Sequence, residues 1–313
     1  MSENSNNIHC QPSAAEKSNE TAPTISRWLH LSPSPSPAPL SYTLSPSPST
    51  NPLIILSNSL CAPYTAWDHV AAALAHRGFR TLRYGQPGHG DSATPTPTAS
   101  NTFDSMVEDV RHLLQHLGVA KAHGWIGVSM GAATGIYFVA RYPGVVSRLA
   151  VCDTISCSPV NAGTPDPFAA RVAAARQVGH MNDITRATME RWFGMDWIAA
   201  NPDEASRMRS IMLRTSVDGF EACCAALTSA FFDLRPLFRE VGAGVDDAVC
   251  IVGEKDANLP QTMHDMRAQI QAGFAAAGKP RDVRLQVIRD AGHVCFIDGY
   301  TQFMETIVPF MSN

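Results

Sequence analysis

The chain has 313 residues, 45% of them apolar and 17% charged, and 24 Lys and Arg against 28 Asp and Glu leave a formal net charge of −4. That length buries a sizeable core, and mild acidity with no run of Lys or Arg longer than a pair argues against a nucleic-acid binder. No stretch approaches the ~18 consecutive apolar residues of a membrane span, and the start MSENSNNIHCQPS lacks the basic region and apolar run of a secretory signal. The expected setting is cytoplasmic, with no membrane partner. Eight cysteines (Cys10, Cys61, Cys152, Cys157, Cys223, Cys224, Cys250, Cys295) are scattered without CxxC pairs or His partners at metal spacing. Reduced, buried thiols are expected, with no metal and no cofactor.

Residues 1–23 are polar and without hydrophobic period, which predicts a disordered tail. The segment 31–50 holds seven Ser and six Pro, but alternation over Ile25–His30 and Leu40–Leu44 predicts two short edge strands joined by a Ser/Pro loop. From residue 52 strands alternate with helices. PLIILS (52–57) reads as a buried strand, followed by a helix near 65–76, a strand at 79–83, a Gly/Pro loop at 85–97, and an amphipathic helix over 102–117 ending at Gly118. A strand at 123–128, a helix at 131–142 and a strand at 145–152 continue the rhythm. Between about 158 and 240 four helix-compatible segments replace the strand signal (FAARVAAARQV, TMERWFGMDWIA, EASRMRSIMLRT, GFEACCAAL). Strands at 248–253 and 282–288 and helices at 260–277 and 298–311 complete the chain. Such alternation implies an α/β class with a mostly parallel sheet, helices on both faces and an inserted helical cap. The expected division is a core of 24–157 and 241–313 around a cap of 158–240.

The strand at 123–128 runs into Gly127-Val128-Ser129-Met130-Gly131, a G-x-S-x-G followed at once by a helix. Glycines on either side permit a strand-to-helix turn so sharp that the serine takes strained dihedrals and lifts its Oγ above the sheet edge. A serine hydroxyl needs a base, and the base an orienting acid. Asp256 follows the 248–253 strand and His293 follows the 282–288 strand, giving the order Ser129, Asp256, His293. Of the eleven histidines only His293 has this setting; His76, His112, His116, His180 and His264 fall in helical segments. Asp153, at the end of the 145–152 strand, is the alternative acid. An oxyanion formed at Ser129 needs two donors, the N–H groups of Met130 and of Leu60 in Ser57-Asn58-Ser59-Leu60-Cys61.

These residues resemble the α/β-hydrolase superfamily, and more narrowly the 3-oxoadipate enol-lactonases. The narrower resemblance adds Trp67-Asp68, Gly88-His89-Gly90-Asp91-Ser92, Arg191-Trp192-Phe193 and Gly219-Phe220-Glu221-Ala222-Cys223-Cys224-Ala225-Ala226-Leu227, and spans roughly residues 50–311. It implies the α/β-hydrolase fold and hydrolysis of a small-molecule ester or lactone through an acyl-enzyme. Enol-lactonases usually carry Gly where this chain has Cys61, and Asp-x-Arg where it has Gly85-Gln86-Pro87. A carboxylated substrate calls for a cation among Arg171, Arg176, Arg191 and Arg214, while Trp192, Phe193 and Trp197 are candidates to line a pocket or to pack the cap. A carboxylesterase, a C–C bond hydrolase and a non-catalytic ligand-binding protein of the same fold are the alternatives. No sequence feature specifies an oligomeric state.

Overall fold

In the computed structural model, which describes residues 26–29 and 39–313, eight strands form one sheet in the order β1-β2-β4-β3-β5-β6-β7-β8. The strands are β1 (Ser26–Leu29), β2 (Leu40–Leu44), β3 (Leu53–Ser57), β4 (Arg80–Tyr84), β5 (Ala122–Val128), β6 (Val146–Cys152), β7 (Asp247–Gly253) and β8 (Arg284–Ile288). From β4 to β8 every pairing is parallel, and β2 runs antiparallel to both β1 and β4. The expected tail at 1–23 and most of the Ser/Pro loop lie outside the described residues. Only β1 of the two expected edge strands is at the edge, since β2 is paired on both sides.

Alternate residues of the central strands enter two different cores. Ile55, Trp125, Val151 and Val252 face one, and Ile54, Leu56, Ile126 and Ile251 the other. That period of two, with both sets apolar, is what a sheet covered on both faces requires. The covering helices before β6 are α1 (Asp68–Ala75), α2 (Phe103–His116) and α3 (Met130–Arg141). Thr102 starts α2 with a reciprocal cap: its Oγ1 accepts from Ser105 N–H at 3.0 Å and Ser105 Oγ accepts from Thr102 N–H at 2.9 Å.

Between β6 and β7 the chain is helical: α4 (Pro159–Ala162), α5 (Ala169–Val178), α6 (Asn182–Phe193), α7 (Met195–Ala200), α8 (Pro202–Met212), α9 (Val217–Thr228) and α10 (Phe238–Gly244). The expected helix TMERWFGMDWIA splits into α6 and α7 at Gly194, whose φ of 75° a right-handed helix cannot absorb. His76 and His180 sit in the turns after α1 and α5, outside the helices expected to hold them. The boundary expected at 240 falls inside α10, which packs on the last layer of helices: a Cβ on Gly242 would lie 2.1 Å from Phe274 N. Beyond β7 follow α11 (Leu259–Ala276), α12 (Cys295–Asp298) and α13 (Tyr300–Ser312); α13 is the helix expected at 298–311, and α12 is a short additional turn of helix before it. Among the described residues no helix is long and apolar enough to cross a membrane, and no cluster of three or more His, Cys, Asp or Glu is placed to hold a metal ion.

Candidate active site

The carboxyl ends of β3, β5, β6, β7 and β8 point the same way, so the segments that leave them meet in one crevice, where open parallel sheets place their ligands. A cavity of about 190 Å³ opens there. Ser129, His293, Asp256, Leu60 and Met130 all line it, as do Arg191 and Trp192 from α6.

Ser129 joins β5 to α3 with φ 55° and ψ −117°. The flanking glycines are sterically compelled: a Cβ on Gly127 would lie 2.3 Å from Gly131 O, and one on Gly131 would lie 2.3 Å from Ser57 O. His293 Nδ1 and Asp256 Oδ2 are 2.7 Å apart, with both side chains about nine-tenths buried (11% and 10% accessible). An Nδ1–H donating to the carboxylate leaves Nε2 as the acceptor. No hydrogen bond joins Ser129 Oγ to His293; such contacts commonly tighten only with substrate bound. The N–H groups of Leu60 and Met130 donate to no other protein group among the described residues. Asp153 is fully buried behind the cavity and makes no bond to His293; its oxygens meet Gly253 N–H and the Cys295 thiol.

The loop after β3 is held by uncharged groups. Gln86 Nε2 donates to Asn58 O (2.7 Å), Asn58 Nδ2 to Tyr84 O (2.7 Å), and Ser92 Oγ to Gly85 O (2.9 Å). Ser41 of β2 donates through its N–H to Ser92 Oγ at 3.0 Å. A Cβ at position 85 would come within 2.5 Å of Ser92 Oγ, so a larger residue there demands a different packing. Gly85-Gln86-Pro87 therefore brings a neutral network to the place where enol-lactonases usually carry Asp-x-Arg. Cys61 takes a φ of 66°, the left-handed region that suits glycine. Its N–H donates to Nε2 of buried His89 at 2.9 Å, and His89 Nδ1–H donates to Pro87 O at 2.9 Å. Burial pushes the Cys61 thiol up to about 12, so it lines the cavity as a neutral group.

The four candidate arginines separate cleanly. Arg176 pairs with Asp218 and Glu221, and Arg214 with Asp91, all at the surface. Arg171 and Arg191 line the cavity. Arg191 keeps accessible surface toward that space, yet burial of its head group, then the charge of Arg171, hold its pKa below the usual arginine value, against the pull of Asp256. Trp192 tilts over His293 with ring centroids 5.6 Å apart. Phe193 is a correction: it is buried away from the cavity and stacks on Trp197 at 4.6 Å. Phe220 and Leu227 of α9 line the cavity, which the sequence reading did not assign. Their spacing of seven, with Cys224 between them, is the i, i+4, i+7 signature that marks one helix face.

Comparison with known proteins agrees with this architecture. A family model described as alpha/beta hydrolase fold matches residues 52–300. The 3-oxoadipate enol-lactonase 2 of Acinetobacter baylyi is 27% identical over 227 residues, covering 71% of this chain and 81% of that protein. An sn-1-specific diacylglycerol lipase of Danio rerio is 31% identical over 268 residues, covering 84% and 78% of the two chains. The crystal structure of the enol-lactonase from Burkholderia xenovorans LB400 superposes with a TM-score of 0.77 at 27% identity, over 92% of this chain and all of that one (100%). The chain belongs to the α/β-hydrolase fold family.

Proposed function

We propose that this protein is a serine hydrolase of small esters or lactones, with Ser129 as nucleophile, His293 as base and Asp256 as the acid that orients it. The observation that carries the reading is convergence: Ser129, the His293–Asp256 pair and the two unengaged amides of Leu60 and Met130 border one cavity. His293 Nε2 takes the Ser129 hydroxyl proton as Oγ bonds to the substrate carbonyl carbon. Leu60 N–H and Met130 N–H hold the oxyanion; losing one such donor typically costs about 10²–10³ in rate. The carbon–oxygen bond to the leaving group then breaks. An ester's alkoxide takes its proton from His293 on oxygen, whereas an enolate leaves more readily and takes that proton on carbon to become a ketone, so that His293 is neutral again in either case. Water then gives a proton to His293 and its oxygen to the acyl carbon, Ser129 recovers its proton, and the acid is released.

In this reading the helices between β6 and β7 act as the cap, and Arg171 and Arg191 favour substrates bearing a carboxylate. The similarity to an enol-lactonase and to a lipase supports the ester and lactone classes alike. Buried thiols used as small core residues support a cytoplasmic setting. The deciding experiment is burst release from a p-nitrophenyl ester by wild type and by Ser129→Ala. A burst confined to wild type is expected; equal traces would leave a ligand-binding role in place of the hydrolase. Turnover of enol-lactones against acyclic esters of matched size then separates lactonase from esterase.

A further inference from the structure

Asp153 carries two unfavourable features at one position. It leaves β6 with a φ of 45°, a backbone that costs a non-glycine residue on the order of 1 kcal/mol. Its carboxyl is also fully buried, yet it does not line the cavity. What that carboxyl touches is specific. Oδ1 accepts from Gly253 N–H at 2.7 Å, and Oδ2 lies 3.0 Å from Cys295 Sγ. Gly253 ends β7, and its carbonyl accepts from Asp256 N–H at 3.2 Å. Cys295 opens α12, two residues past His293. The two loops meet at the same point, where a Cβ on Gly253 would lie 2.0 Å from Gly292 O.

The groups around Asp153 are the thiols of Cys152 and Cys295 and the carboxyls of Asp256 and Asp298. Burial first, then the charge of Asp256, pushes the Asp153 carboxyl well above the ordinary range. In its uncharged form both oxygens still accept, one from Gly253 N–H and the other from the Cys295 S–H. The carboxylate bonded to His293 is that of Asp256, 2.7 Å from Nδ1.

We propose that Asp153 is a positioning residue, whose side chain clamps the end of β7 to the start of α12 and so holds Asp256 and His293 in register. The inference rests on the catalytic reading of Ser129, Asp256 and His293. A displacement of about 1 Å between such groups can cost 10²-fold in rate, so the clamp acts on kcat.

The test compares kcat and KM for a p-nitrophenyl ester, with urea midpoints in parallel, for wild type, Asp153→Asn, Asp153→Gly and Asp256→Asn. Asparagine keeps an acceptor for Gly253 N–H and sets an amide N–H against Cys295 Sγ, a weak acceptor, and tolerates the left-handed backbone; glycine tolerates the backbone but loses both contacts. Asp153→Asn is expected within about 3-fold of the wild-type kcat, Asp153→Gly about 10- to 100-fold lower at nearly unchanged KM, and Asp256→Asn about 10⁴-fold lower. A folded Asp153→Gly with wild-type kcat overturns the clamp and leaves the catalytic reading intact. Asp153→Asn as inactive as Asp256→Asn also overturns it, because a charge on Asp153 would then be needed. If the glycine variant does not fold, Cys295→Ala removes one anchor alone: a lowered kcat at constant KM supports the clamp, and an unchanged kcat overturns it. Failure of the catalytic reading shows elsewhere, as wild-type turnover in Ser129→Ala.

Discussion

Cys61, Ser129 and Asp153 each hold a left-handed backbone without being glycine, and they stand at the carboxyl ends of the neighbouring strands β3, β5 and β6. Strain of this kind persists only where surrounding structure over-determines it, and here it lines the cavity at Cys61 and Ser129 and meets the ends of the Asp256 and His293 loops at Asp153. Ser129 was legible because its glycines mark the turn. Cys61 and Asp153 leave no such mark, since a positive φ is invisible in a residue whose type does not call for it. His89 shows a second limit. Its motif was legible, but its task, accepting the Cys61 amide next to Leu60, depends on a tertiary contact. Burial lowers its pKa from 6.5 to about 4. The folded value lies below the unfolded one, so the neutral ring contributes fully above pH 6.5, and that contribution is lost as pH falls toward 4. The shift corresponds to about 3 kcal/mol. Urea unfolding at pH 7 and pH 4 is therefore expected to show a loss larger by about that amount in wild type than in His89→Gln, which takes up no proton.

At the scale of elements, the helical segment meets the sheet loops backbone to backbone. A Cβ on Gly219 of α9 would lie 2.4 Å from Gly88 Cα, and one on Gly292 would lie 1.8 Å from Trp192 O. Ser216 N–H also donates to Gly88 O at 2.9 Å. Gly219→Ala is expected to lower stability by about 1–3 kcal/mol in urea titration, although alanine in a helix ordinarily gains about 1 kcal/mol over glycine. A stabilised variant would contradict the contact. The sequence pattern resolved the succession of strands and helices, because each strand is a continuous apolar run and α2 has a strong apolar stripe. It did not resolve the break at Gly194, the short turn of helix α12, or the packing of α10, all decided by close contacts or single dihedrals.

Across the whole molecule, a net charge of −4 surrounds a cavity that holds two arginines. Four arginines had equal claim in the sequence, since helical phase alone does not say which face is spent on surface ion pairs. The cavity, at about 190 Å³, is smaller than the ~300–1,000 Å³ of pockets that hold drug-sized ligands. Short esters bearing a terminal carboxylate should have a kcat/KM at least about 10-fold above neutral esters of the same length, and Arg191→Gln should remove most of that difference by raising KM, consistent with about 1.5–3 kcal/mol for a charged hydrogen bond. Equal kcat/KM for the two ester classes in wild type would exclude an anionic preference.

The neutral network beside the cavity has a practical reach. Ser41 of β2 touches Ser92, Ser92 touches Gly85, and the next residue, Gln86, holds the carbonyl of Asn58 two positions before Leu60. The N-terminal strand pair is thereby wired to one wall of the cavity. Truncations that remove β2 cut that wiring, and the end of α13 is no freer a handle, because Met311 is buried there and its carbonyl lies 2.7 Å from His123 Nε2 of β5, the strand that leads to Ser129.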